Sequence, residues 1–251
     1  MTMSDLPHST ELTTPDDTSI DSEAPYGKAA GRPRAADMEA RNQNLLETAG
    51  QLFVEKGYSK VSLEMIAREA HVAVRTIYVK FGGKAGLFNA VIARGRSVYF
   101  AVGDMDADLR PVEQILGDFG LHLLQLVSMP RIVRMHRMVI AEAGTNPELA
   151  LTYDQAGPGQ TREMLKRFFS RPDISVHFRD DIARETLSVH LLNCITGDQL
   201  QRLMFEPETQ PTEAELRHKV ALGLDLFFKG TLGVVHKRPI LGNTDERNTF
   251  I

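Results

Sequence analysis

From about Asp37 to Lys56 the apolar residues fall at helical spacing: Leu45, Ala49, Leu52 and Phe53 take i, i+4, i+7 and i+8 on one face. Gly57 stands where such a helix stops. Ser62 precedes a second stripe, Leu63, Ile66, Ala67 and Ala70, which predicts a short capped helix with Glu64 at the positive end of its dipole. A turn, His71-Val72-Ala73, leads into a third helix over about Val74 to Phe81, with Ile77 and Phe81 toward the core. Two short helices joined by a tight turn and braced by a longer one predict a helix-turn-helix.

Gly82-Gly83 breaks the chain before a long helix from Lys84 to about Val102, apolar at 87, 88, 91, 92, 98, 99 and 102, which is expected to link two domains. Further helices are predicted at about 112 to 127, 130 to 143, 147 to 156, 160 to 170, 180 to 205 and 212 to 235, separated by Pro- or Gly-containing breaks. Thr212 with Glu215 after Pro211 forms a capping box, the strongest start signal in this half. No clear period-2 strand run interrupts the series, so the fold class is all-α. The expected layout is a tail with a basic arm over 1–36, a helix-turn-helix domain over 37–83, a larger helical domain over 84–237 and a C-terminal tail over 238–251.

With 251 residues and 42% hydrophobic content, the chain suffices for a small reading module plus a second helical core. One cysteine, Cys194, makes no internal disulfide, and the first thirty residues hold no apolar leader run. No segment reaches the roughly twenty apolar residues of a membrane span, so a cytosolic protein without a membrane partner is expected. Residues 1 to about 36 are rich in Ser, Thr, Asp and Pro and predict disorder. The net charge of -4 conceals an uneven distribution. Six carboxylates and no Lys or Arg lie between Met1 and Tyr26, whereas ten cations face six anions between Gly27 and Lys84. A basic module follows an acidic tail, which restores nucleic acid as a candidate partner.

A helix of about eight residues fits the major groove of duplex DNA, where base edges distinguish all four pairs. If Ile77 and Phe81 point inward, Val74, Arg75, Thr76, Tyr78 and Lys80 are left outside. Arg75 suits a bidentate contact to guanine, Thr76 a thymine methyl or a phosphate, and Val74 a methyl group. Tyr78 and Lys80 suit phosphate oxygens, as do Lys84 with the amides at the start of the fourth helix, and Ser62 at the start of the second. Ordinary alternatives stand beside these roles: a Tyr after an Ile is most often half-buried core, and a lone Arg is usually a solvated charge. Arg32 and Arg34, in Gly31-Arg32-Pro33-Arg34, are either linker or a mobile arm for the minor groove.

The run from Val61 to Phe88 resembles the signature of TetR/AcrR-type repressors. The matching residues are Ile66-Ala67, Val72 at the turn, the pair Ile77-Tyr78, and Phe81 followed three residues later by Lys84. Position, length and the arm at 31 to 34 also resemble the family; the resemblance is strong over about residues 38 to 92, and beyond that only helical character and length match. Two positions depart from it: His71 where Gly is usual, and Ala85 where an acidic residue is usual. His is enriched among non-Gly residues at positive φ, so His71 is expected to close the second helix at some strain. The resemblance implies a phosphate contact for Tyr78, a homodimer on a palindromic operator, repression as the usual behaviour, and a small-molecule effector in the larger domain. Such an effector moves the fourth helix and spreads the two reading helices.

Two late helices carry broad apolar surfaces: Leu187, Val189, Leu191, Leu192 and Ile195 in one, Leu216, Val220, Leu224, Phe227 and Phe228 in the other. They form either an ordinary domain core or, with the resemblance counted, a four-helix dimer interface. Phe119, His122, Leu123, Leu126, Met135, Met138, Val139, Glu142, Phe168 and Cys194 are the candidate lining of an effector cavity, although such spacing also describes plain core. His122, His136, Glu142 and His190 lack metal-ligand spacing, and no cofactor is expected. There is no Gly-x-Ser-x-Gly, phosphate loop, dinucleotide fingerprint or His-Glu-x-x-His, which disfavours an enzyme. A helical adaptor that binds only protein is the second rival.

Overall fold

The computed structural model describes residues 35–100, 105–205 and 210–233. Its helices are α1 (Ala35–Lys56), α2 (Leu63–Glu69), α3 (Val74–Phe81), α4 (Lys84–Phe100), α5 (Val112–Ser128), α6 (Pro130–Ala143), α7 (Pro147–Ala156), α8 (Pro158–Ser170), α9 (Pro172–Ser175), α10 (Arg184–Thr196), α11 (Gln199–Phe205) and α12 (Glu213–Thr231). The described residues contain no strand; an isolated bridge joins Phe178 to Leu232. The fold is all-α, a helix-turn-helix unit followed by a larger helical body. The disordered tail expected over 1–36, with Arg32 and Arg34, and the C-terminal tail over 238–251 lie outside the described residues but for 35 and 36.

Local signals explain half of the helix starts. Four helices, α6 to α9, open on a proline, whose missing N–H costs nothing in the first turn. The Thr212–Glu215 capping box closes reciprocally at the head of α12. The single helix expected over 180 to 205 is instead two. Gly197, at φ +48°, ends α10 by donating its N–H to the Asn193 carbonyl at 2.9 Å, and α11 sets off in a new direction that buries Leu203. α12 stops at Thr231 rather than near 235, because Leu232 turns extended to pair with Phe178 and Gly233 donates to the His177 carbonyl at 3.1 Å.

The buried residues form two clusters. A distal one joins α5, α8, α10 and α12 around Phe168, Phe169, Phe178, Phe227 and Phe228, with the Phe169 and Phe178 rings edge to face at 5.0 Å. A proximal one joins α1 to α4 through Phe53, Ile66, Ile77 and Phe88, and takes in Met135, Met138 and Val139 of α6 and Leu149 of α7. The helix-turn-helix unit is thereby packed directly on the body. Burial of such side chains contributes roughly 1.5–3 kcal/mol each. No helix among the described residues is long and apolar enough to cross a membrane.

Candidate nucleic-acid interface

The reading unit is built by capping at each joint. Gly57, at φ +86°, ends α1 and donates its N–H to the Phe53 carbonyl at 2.9 Å. The Ser62 Oγ accepts from the Met65 N–H at 3.2 Å and so caps α2. The Ser62 hydroxyl and backbone N–H groups hold the Glu64 carboxyl below its ordinary range, the backbone bond being the larger cause. His71 takes the left-handed conformation, φ +54°, and is the one non-glycine residue to do so among the described residues. The Val72 N–H then donates back to the Ala67 carbonyl at 2.9 Å, closing the turn.

On α3 Ile77 is fully buried, while Arg75, Thr76, Tyr78, Val79 and Lys80 are exposed. Val74 and Phe81 are half-buried against the proximal core, so Val74 has less free surface than its helix position suggested. Val79, 78% exposed, stands beside Tyr78, 55% exposed, and belongs to the outer face; the sequence reading omitted it. Its signal was available, since it lies two residues from Ile77 and therefore on another side of a 3.6-residue helix. Neither Arg75 nor Lys80 enters an ion pair among the described residues, although the Lys80 Nζ lies 5.8 Å from the Phe81 ring centre. The exposed face of α3 thus carries two cations and no carboxylate.

Lys84 opens α4 with its Nζ 4.3 Å from the centre of the Tyr58 ring. Burial pushes its ammonium below the ordinary range, against the pull of the Glu142 carboxylate. α3 and α4 meet at Gly86, where an added Cβ would fall 1.8 Å from the Phe81 carbonyl oxygen. Only a glycine admits that approach.

Glu142, near the end of α6, reaches the reading unit. Its Oε2 accepts the Ser59 N–H at 2.9 Å and also the Ser59 hydroxyl, and a Cβ on Gly57 would lie 2.9 Å from its Oε1. Behind it, α6 contributes Met135 to a cavity of about 590 Å³. Its wall comes from Leu46, Gly50 and Val54 of α1, Val91, Ile92, Arg94 and Arg96 of α4, Leu123, Leu126 and Val127 of α5, and Arg131, Ile132 and Arg134 of α6. Glu47, Gln51, Glu55, Tyr153, Thr161, Leu192, Thr196 and Leu200 also line it. The Tyr153 hydroxyl lies 3.1 Å from His136 Nδ1; burial pushes the phenol up to about 12 and lowers the imidazole.

Of the ten candidate lining residues, the structure brings Leu123, Leu126 and Met135 to this cavity. Phe119 and Phe168 are buried in the distal core, and Cys194 packs against it with its thiol pushed up by burial. Met138 and Val139 lie in the proximal core, Glu142 binds Ser59, and His122 is half-buried away from the wall. The sequence reading missed every wall residue of α1 and α4, and also Val127, Arg131, Ile132, Arg134 and the wall residues of α7, α8, α10 and α11; for α4 the available signal was Arg94 and Arg96, two cations inside a mostly apolar stretch. No group of three or more His, Cys, Asp or Glu among the described residues is placed to hold a metal ion.

The exposed side of α10 and α12 retains Val189, Leu222 and Leu226, the last two 59% and 65% exposed. Leu187, Leu191, Ile195, Leu216, Val220, Leu224, Phe227 and Phe228 are buried within the chain's own core.

Comparison with known proteins covers both halves of the chain. The family model for bacterial regulatory proteins of the tetR family matches residues 45–91, and that for the AefR-like transcriptional repressor C-terminal domain matches residues 114–230. YvkB of Bacillus subtilis (strain 168), described as an uncharacterized HTH-type transcriptional regulator, is 35% identical over 77 residues, 29% of this chain and 41% of its own length. The match therefore spans about two fifths of that relative. A TetR transcriptional regulator from Agrobacterium tumefaciens superposes with a TM-score of 0.60 at 21% identity, over 77% of this chain and 95% of that one. NalD of Pseudomonas aeruginosa, the secondary repressor of the MexAB-OprM multidrug efflux pump, superposes with a TM-score of 0.54 at 25% identity, over 78% of this chain and 98% of its own.

Proposed function

This chain belongs to the TetR family of bacterial regulatory proteins, and on that premise we propose that it is a repressor whose homodimer binds a palindromic DNA operator and is released by a small-molecule effector. The observation that carries the reading is the exposed face of α3, cationic, free of carboxylates and fixed from beneath by the buried Ile77. Arg75 and Thr76 read base edges there; Tyr78, Lys80, Lys84 and Ser62 hold phosphates and set the register. Val79, beside Tyr78, adds a surface for a thymine methyl. Arg32 and Arg34 enter the minor groove next to the module. We assign the reading module to 37–83 and the regulatory body to 84–237.

A single short helix reads too few bases to be selective, so two copies are required, related by a two-fold axis. Val189, Leu222 and Leu226 supply a self-complementary apolar patch on α10 and α12 for that pairing. The effector occupies the cavity behind α4. Because α6 forms part of its wall and ends at the Glu142–Ser59 contact, a shift of α6 reaches the reading unit directly. NalD, a named repressor of similar fold, supports repression as the outcome.

The test is a gel-shift with the DNA upstream of the protein's own gene across a salt series. Binding is expected to be site-selective and to weaken steeply with salt. Arg75→Ala is expected to relax base preference at one position by about 1–3 kcal/mol, and Lys84→Ala to weaken all sequences alike. Binding of both variants like the parent, or no site selectivity at any salt, would overturn the reading.

A further inference from the structure

We propose that the cavity between α1 and the body takes a small apolar molecule ending in an anionic group, with Arg96 as its main holder; this rests on the effector reading above. The wall is mostly aliphatic, with Val54, Val91, Ile92, Leu126 and Ile132 among its side chains. Its volume, about 590 Å³, suits one small organic molecule. A purely apolar ligand would fit such a wall, but the charges in it argue for more.

Four arginines line the cavity, Arg94, Arg96, Arg131 and Arg134, against two glutamates, Glu47 and Glu55. None of the four is in an ion pair among the described residues. The two carboxylates are on exposed residues of α1, and Glu55 already accepts from the Gln51 amide at 2.8 Å. Arg94 donates one guanidinium N–H to the Gln43 carbonyl at 2.6 Å. Arg96 differs from the others: its Nε is buried and has no hydrogen-bond partner among the described residues.

Arg131 and Arg134 are exposed and Arg94 is already engaged, so Arg96 is the half-buried guanidinium of the wall with no partner among the described residues, and the acceptor that matches such a planar fork is a carboxylate, sulfonate or phosphate. A cationic ligand would add to a positive excess in a confined space, and a neutral one would leave the charge uncompensated. An anion on Arg96 also has its body between α1 of the reading unit and α5 and α6 of the body. Such a ligand touches both sides of the joint it is meant to move.

The experiment titrates the full chain calorimetrically with decanoate, decanol and decylamine, which share one apolar body. Decanoate is expected to bind about tenfold tighter than decanol, because a hydrogen bond to a charged group outweighs a neutral one, and decylamine to bind most weakly. Arg96→Met is expected to cost decanoate about tenfold and decanol much less, so that the two bind nearly alike; Arg134→Gln, at an exposed position on the wall, is expected to give a smaller loss. Should Arg96→Met not fold, Arg96→Lys keeps the charge without the fork and carries the same comparison. Equal binding of decanoate and decanol would overturn the anionic assignment and leave the effector cavity standing. An Arg96 variant that holds decanoate like the parent would overturn the assignment of that residue. If none of the three binds, the effector cavity itself falls, and the anionic proposal with it.

Discussion

Helix α3 and the inter-domain cavity are two ways of making a contact surface from helices. On α3 the outward side chains stand on one short convex element, and a single buried residue, Ile77, fixes them all. The cavity draws its wall from α1, α4, α5, α6, α7, α8, α10 and α11, so its shape depends on how eight helices cross. The difference teaches where changes act. Residues on α3 change contacts nearly independently of one another, whereas residues around the cavity are coupled through the packing they share.

The sharpest way to break this contrast is beneath α3. Ile77→Ala removes the anchor and is expected to cost about 2–5 kcal/mol in urea unfolding, with loss of operator binding. Unchanged operator affinity in that variant would show that α3 is held from elsewhere. Next in size is Gly86→Ala, whose methyl must push against the Phe81 carbonyl. Parting α3 from α4 is expected to cost about 1–3 kcal/mol, visible as a lower thermal midpoint. A midpoint equal to the parent's would mean that the elbow is not close-packed.

Two smaller changes sharpen the comparison at its joints. Glu142→Ala removes the acceptor that ties α6 to the α1–α2 turn, and since Ser59 is exposed the cost is about 1 kcal/mol. It is expected to speed hydrogen exchange at the Ser59 amide several-fold while exchange in the distal core stays as it was. Protection at Ser59 like that of the parent would remove this contact from the path between cavity and reading unit. The smallest effect has the opposite sign. His71→Gly relieves a left-handed backbone and is expected to stabilise by about 0.5–1 kcal/mol, part of the relief being offset by the freer unfolded chain. A lowered melting temperature would mean that the His71 side chain contributes more than its backbone costs.

Much of the reading unit was legible because its signals are local. The Ser62 cap, the left-handed His71 and the inward Ile77 each involve residues within four positions of one another. The candidate cavity lining was legible only in part. Leu123, Leu126 and Met135 reach the wall, yet Phe168 on a similar apolar stripe does not, because α8 packs on α10 and turns that residue into the distal core. Likewise, of the broad apolar faces on α10 and α12, most is spent in the chain's own core, and Val189, Leu222 and Leu226 are left outside. An apolar stripe reports that a face is covered and is silent on what covers it.

By itself, then, the chain's order of residues determined that this is an all-helical regulator, where its reading helix begins and ends, and which side of that helix faces out. Helix period, caps and turn residues act over one or two turns, a range any sequence displays. The tertiary structure decided that α1 helps enclose the cavity, that Arg96 stands on its wall in no ion pair among the described residues, that Glu142 grips Ser59 across 83 positions, and that Gly86 must be bare for α3 to pass. These depend on the angles and distances at which helices far apart in the chain come together, and packing sets those only once every helix is in place.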